Sequence, residues 1–335
     1  MESDLLYLLL VCAAWGCALA VFALALKRRG LSVPVAFIGM AAGVPLALIA
    51  GKLLWLAFNS QQFDDYGAAC LVRFLPGEFS FTGACAGLVL AVVLAALLRK
   101  ERPARVLDAF APALCVFTVI ARLAELFVGD LGLAETSYIG LPEITDGSLI
   151  AFFPFAVRDS WGFWQLGASG LEAVAALVFT VPASVVLRRE LPPRLADKNG
   201  VVFEAAAFGL CASAFFPELY KITALVFYYI RVEQLLCAVV MLALVIRVCR
   251  VLSRRKLPRP YLPLILFLVF LALNAFTQYF LDKYWQFANL FPESVFDWIC
   301  NNLRPTCAAL ILATTVCMVL VYVFPFRKAY GLNRK

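Results

Sequence analysis

Histidine is absent from all 335 residues. Its absence removes the commonest general base and the commonest metal ligand. Charge is also scarce: 15% of residues are charged against 64% hydrophobic, and the mean hydropathy is +0.89. A soluble domain of this length could not keep that balance out of aggregation, so the solvent is largely lipid. The eleven cysteines form no CxxC pair and no metal-ligand spacing. Most fall inside apolar runs, where they act as small hydrophobes. No metal and no cofactor is implied. Fixed-period repeats, low-complexity tracts and a soluble domain are lacking as well.

What is present is a series of long, continuous apolar runs. In hydrocarbon every backbone N–H and C=O must be paired within its own element, and ten-residue alternations are missing, so helices are expected and not a barrel. Runs of roughly twenty apolar residues span a bilayer. Nine are expected, at about 4–26, 33–58, 79–98, 106–128, 167–187, 203–220, 226–249, 261–281 and 305–325. The fold class is an all-α polytopic membrane protein of about nine transmembrane helices. The first run follows the acidic Met1-Glu2-Ser3-Asp4 and precedes the basic Lys27-Arg28-Arg29. That order is the reverse of a signal peptide's, so the run is expected to stay as a helix.

The net charge of +7 is set by position. Most of the 29 Lys and Arg cluster at 27–29, 99–105, 188–198, 250–259 and 327–335, which are alternate loops. The opposite loops carry acidic runs such as Asp64-Asp65, so the N-terminus is expected outside and the C-terminus in the cytoplasm. These charges read as membrane flanks, and no nucleic-acid partner is inferred. Cys70 and Cys300 both fall in outward loops, which leaves a bridge between them open. The long outward loop at about 129–166 holds Phe152-Phe153-Pro154-Phe155 and Trp161-Gly162-Phe163-Trp164. Its aromatics suit a membrane-skimming connector or a substrate lid. The basic hinge 250–260 sets off a final pair of spans almost free of intramembrane charge, and these read as a scaffold.

Charges inside a bilayer are expensive, so each is a functional candidate by default. They are Lys52, Arg122, Glu125, Glu172 and Glu218, with Asp130 and Lys221 near the boundary. At about 1.5 Å per residue Lys52 lies roughly 28 Å along its span and Arg122 roughly 24 Å along its own. Glu172 and Glu218 sit at the outer ends of theirs, so all five are expected at one level in the outer leaflet. Arg122 and Glu125 are three apart on one face. The guanidinium either pairs with Glu125 or grips a lipid phosphate in a bidentate manner. Glu218 and Lys221 are likewise three apart, after Pro217.

Four stretches, in this order, resemble the motifs of one known family. GVPLALIAGKLLWLAF at 43–58 is similar to the family's glycine-rich second helix with its basic residue, here Lys52. Phe79-Ser80-Phe81-Thr82-Gly83-Ala84 is similar to the SFHGG helix start, with Thr82 where the family has histidine. LDAFAPAL at 107–114, running into ARLAELFVGD at 121–130, is similar to the D-x-x-A-P helix and the GRxGNFxNGE signature. Phe216-Pro217-Glu218-Leu219-Tyr220-Lys221 is similar to the RFxxExxR segment, with Ala214 in place of its first arginine, and Glu233-Gln234-Leu235 is similar to the MGQ helix start. Glu125 and Val128 replace the two signature asparagines.

These stretches resemble the bacterial phosphatidylglycerol–prolipoprotein diacylglyceryl transferase family, and the resemblance implies a divergent member: a seven-helix transferase-like membrane domain over 1–250 and an appended two-helix extension over 251–335. It implies residence in the bacterial plasma membrane, with phosphatidylglycerol or another anionic phospholipid and a prolipoprotein lipobox segment as partners. Diacylglyceryl would pass from the lipid to the lipoprotein cysteine at the outer leaflet. The thiolate is the nucleophile and needs a base, which without histidine falls to Glu125 or Glu218. Arg122 would neutralise the departing phosphate. Lys52, Thr82, Asp108, Asp130, Glu172 and Lys221 are expected to bind substrate. A catalytically degenerate lipid- or lipopeptide-binding protein on the same scaffold is the alternative, and transport is disfavoured by the absence of a repeat and by charges set toward one face.

Overall fold

A computed structural model of the chain describes residues 2–73, 75, 77–134, 144–159, 162–180, 200–222, 224–227, 230–286 and 292–331. The helices are α1 (Glu2–Arg28), α2 (Pro34–Phe58), α3 (Gln61–Tyr66), α4 (Phe81–Leu98), α5 (Pro103–Glu125), α6 (Ala168–Ala175), α7 (Val201–Phe215), α8 (Val232–Arg254), α9 (Leu262–Lys283) and α10 (Glu293–Tyr330). Among the described residues eight helices are long and apolar enough to cross a bilayer: α1, α2, α4, α5, α7, α8, α9 and α10. The expected span at 167–187 begins as α6 and runs through a π-helical turn, Ala176–Thr180. Residues 181–199 lie outside the described residues.

Lipid gives helices no hydrophobic reason to associate, so close packing of small residues has to do it. The α2–α4 pair shows how. A methyl placed on Gly87 would overlap the carbonyl oxygen of Leu46, and one on Gly51 would lie 3.0 Å from the carbonyl oxygen of Ser80. The two backbones approach as only glycine allows. Across α1 and α5, Phe22 meets Phe110 edge to face at 5.1 Å, and Trp15 meets Phe117 at 5.1 Å.

A second core joins the C-terminal helices to the rest. Met241 and Val245 of α8 pack with Phe267 of α9 and with Met318, Tyr322 and Phe326 of α10. Tyr322 stacks on Phe208 of α7 at 3.7 Å. Tyr330 donates its hydroxyl to Glu204 of α7 at 2.9 Å, and Arg247 of α8 pairs with the same carboxylate. Between α9 and α10, Asn274 donates to Thr314 Oγ1 at 2.8 Å and to the Ile311 carbonyl at 3.2 Å. Polar groups thus bind helix to helix where water is absent.

Beyond α5 lies a small antiparallel sheet, in the order β1 (Leu133–Ala134), β3 (Trp164–Gly167), β2 (Ala156–Arg158). A hairpin, β4 (Val226–Phe227) with β5 (Ile230–Arg231), precedes α8. The sheet is tied to the chain that precedes the hairpin, since Ala134 bridges to Lys221 and Ile222 N–H donates to the Leu133 carbonyl at 3.0 Å. This sheet end of the bundle gathers most of the charged candidates. In the long loop Asp146 accepts from Trp164 Nε1 at 2.7 Å and from Arg158 Nη2 at 2.6 Å. The indole and guanidinium hold its carboxyl below the usual range. Phe152, Phe153 and Phe163 are exposed there, and Trp161 falls outside the described residues. Cys70 is a free, buried thiol, and the side chain of Cys300 also lies outside the described residues.

The glycine contact gives a direct test. Gly87→Val should destabilise the detergent-solubilised protein by roughly 1–3 kcal/mol through overpacking, read as a lower melting temperature. Gly16→Ala, where a methyl meets nothing within 4 Å, is the matched control and should leave the transition in place.

Candidate functional site

At the sheet end of α5, Arg122 is 4% exposed. A guanidinium in such a place must be paired. Its Nη1 donates to Glu125 Oε1 at 2.6 Å, one turn along the same helix, and its Nε donates to Glu172 Oε1 of α6 at 2.8 Å. Its plane lies 3.8 Å over the Phe81 ring at the start of α4. Glu125 uses its other oxygen to accept the Ser169 hydroxyl. Ser169 stands three residues before Glu172, so both project from one face of α6.

Lys221 completes the network from the other side. It follows the 3-10 turn Pro217–Tyr220, and Pro217 marks where α7 gives way to that tighter turn. Its ammonium lies 3.1 Å from Glu218, 3.3 Å from Glu172 and 3.7 Å from Glu125. Arg122, Glu125, Glu172, Glu218 and Lys221 are all 7% exposed or less. Two cations and three carboxylates therefore share one dry network, with Arg122 and Lys221 bridged through Glu172 and Glu125.

The structure brings together five of the nine residues anticipated from sequence. Lys52 is buried in a pairing of its own, 2.7 Å from Glu78, with Arg73 3.4 Å from the same carboxylate. Its ammonium faces the rings of Trp55 and Phe79 at 4.8 and 5.5 Å. Phe79 and Phe81 thus place Lys52 and Arg122 on either side of the start of α4. Thr82 touches the region through its backbone, whose N–H donates to Glu233 Oε2 of α8 at 3.1 Å.

Asp108 is not brought here. It lies fourteen residues back along α5, about 21 Å away by helical rise. Its carboxylate accepts the N–H groups of Gly200 and Phe203 at 2.9 Å each, with Arg29 at 3.9 Å. It serves the first turn of α7, where an acidic group satisfies orphan amides and suits the helix dipole. Asp130 stands exposed in the turn after α5 and is not one of the side chains that the network joins.

Four contributors were not anticipated from sequence: Ser169, Glu78, Phe81 and Glu233. Ser169 had a legible signal in its i,i+3 spacing to Glu172. Tyr7 of α1 also lies within electrostatic reach of Glu125 and Arg122. Among the described residues no three His, Cys, Asp or Glu side chains are placed so as to hold a metal ion. The arrangement offers instead fixed cations, acceptor carboxylates and one hydroxyl, which suit an anionic headgroup and a proton to be moved.

The family model for prolipoprotein diacylglyceryl transferase matches residues 5–250 of the chain. No curated protein matches it.

Breaking a buried ion network is costly because it strands the remaining charges. Arg122→Ala should destabilise by about 3–5 kcal/mol, and adding Glu172→Gln should restore part of that loss. An Arg122→Ala protein that melts like the parent would show that the network does nothing for the fold. Asp108→Ala should cost about 1 kcal/mol through the lost cap, with ligand binding at the sheet end unaltered in the same samples.

Proposed function

The chain belongs to the prolipoprotein diacylglyceryl transferase family, and from that premise we propose that it transfers diacylglyceryl from phosphatidylglycerol to a lipoprotein cysteine. The observation that carries this reading is the buried network itself: ionised groups from α5, α6 and the turn after α7 meet at one depth. A membrane fold with no site to build would do better with leucine there. In this reading the sheet end faces outward, as the basic loops imply, and the protein works in the bacterial plasma membrane.

The chemistry is a displacement at carbon. The cysteine thiol gives up its proton, and its sulfur forms a bond to the glyceryl carbon that carries the phosphate ester. The C–O bond breaks, and its electron pair leaves on glycerol phosphate. Glu218 is the better base of the two carboxylates expected from sequence. Glu125 is held at one oxygen by Arg122 and at the other by Ser169, whereas Glu218 meets Lys221 through one oxygen. Arg122 and Lys221 stabilise the charge that grows on the departing phosphate. Burial strengthens each of these interactions, because little water competes.

A second reading has its own support. Arg122 has two carboxylate partners and Lys221 has three, so both cations are already countered before any ligand arrives. A non-catalytic binder of lipid or lipopeptide would be served by such a site.

Purified protein incubated with phosphatidylglycerol and a lipobox peptide distinguishes the two. Transfer should release glycerol phosphate and raise the peptide mass by one diacylglyceryl group. Glu218→Gln should then lower turnover by about 10²–10⁴-fold while the protein stays folded. Saturable binding without release would favour the binder, and neither binding nor release would remove both.

A further inference from the structure

The cations of the network are already occupied, which raises the question of what first meets an incoming phosphate. Arg231 differs from them. It ends β5 and immediately precedes α8, half-buried at the sheet end of the bundle. Its Nη1 donates to the backbone carbonyl of Lys221 at 2.9 Å. Among the described residues no carboxylate lies within ion-pair distance of it.

A carbonyl contact orients a guanidinium without neutralising it. Arginine carries five N–H donors in a planar fork, so one bond to Lys221 leaves most of the fork open. The same residue supplies both anchors: the Lys221 carbonyl holds Arg231, and the Lys221 ammonium enters the buried network 3.3 Å from Glu172. Arg231 is therefore a cation fixed beside the site through the Lys221 backbone and, among the described residues, without a carboxylate partner.

Its surroundings are amphiphilic. Ile222, Val226 and Ile230 are exposed on the adjoining turn and hairpin. An apolar lip beside a charged fork fits a molecule with acyl chains and a phosphate. The position itself is unfavourable for a lone cation, since the start of α8 is the positive end of its dipole. A bound anion would relieve that.

We infer that Arg231 grips the phosphodiester of the donor lipid, one edge of its fork held by the Lys221 carbonyl and another presented bidentate to the phosphate oxygens. This rests on the transferase-type reading above and adds to it the group that captures the lipid headgroup. Arg122 and Lys221 are left to stabilise the leaving group.

Binding to the full-length protein in detergent tests it, with three probes: dihexanoyl phosphatidylglycerol, glycerol 3-phosphate and dioctanoylglycerol. Arg231→Gln should weaken dihexanoyl phosphatidylglycerol at least tenfold, leave dioctanoylglycerol unchanged, and melt like the parent without lipid. Arg231→Lys keeps the charge but loses the fork, and should weaken the lipid about threefold. Should Arg231→Gln fail to fold, Arg231→Lys decides alone. Equal affinity for the lipid in variant and parent overturns the assignment of Arg231 while leaving the transferase reading standing. A loss confined to glycerol 3-phosphate overturns it too, since the residue would then hold product and not lipid. A parent protein that binds no phosphatidylglycerol overturns both.

Discussion

A charge withdrawn from water into a membrane interior must find its opposite close by, and the sheet end of this bundle is arranged around that requirement. Arg122 is buried, so α6 has to deliver Glu172 to its Nε and α5 must carry Glu125 one turn further on. Glu172 then needs a second cation, and the turn after α7 supplies Lys221. Each partner fixes the position of a different element. Gly170 allows the close approach this demands: a methyl there would overlap the carbonyl oxygen of Pro154. The sheet, the short α6 and the broken end of α7 follow from satisfying these charges, as much as from burying apolar surface.

The spans were legible because a bilayer imposes one length and one polarity on whatever crosses it. That Arg122, Glu125, Glu172 and Glu218 meet was legible for the same reason, since helical rise turns residue number into distance along a span. What depth cannot give is azimuth. Lys52 was expected at the level of Arg122, yet it pairs with Glu78 in the segment that follows α2. Asp108 was drawn toward the site by its motif, although depth alone sets it at the far end of α5. Its partners start a helix 92 residues later in the chain, and no local pattern announces a cap supplied from that distance. Ser169 could have been found from its spacing to Glu172. Glu233 could not, because its contact is to the backbone of Thr82, which any residue would offer.

On the proposed transferase reading, the missing histidine shapes the chemistry more than any residue present. Thr82 stands where the resemblance places the ring, and its hydroxyl cannot take a thiol proton at neutral pH. The acidic residues fill the gap unequally. Glu125 and Glu172 are consumed in holding Arg122 and Ser169, which makes them part of the scaffold. Glu218 is tied at one oxygen to a lysine that can share its proton load. A carboxylate beside an ammonium can move a proton locally without leaving a net charge stranded in the membrane, a division of labour that a lone histidine would not need.

The C-terminal helices bear on the same point. Ile311 of α10 is fully buried in a cluster with Leu219 and Tyr220, the residues between Glu218 and Lys221. At its other end α10 is pinned through Tyr330 to Glu204 and through Tyr322 to Phe208, both on α7. One helix thus holds α7 at one end and, at the other, packs on the short turn that carries Glu218 and Lys221. A 3-10 turn following a proline has few hydrogen bonds of its own to resist displacement. The packing of Ile311 supplies what the turn lacks, so the extension that follows the family-matched region acts on the site by holding Glu218 and Lys221 against the network.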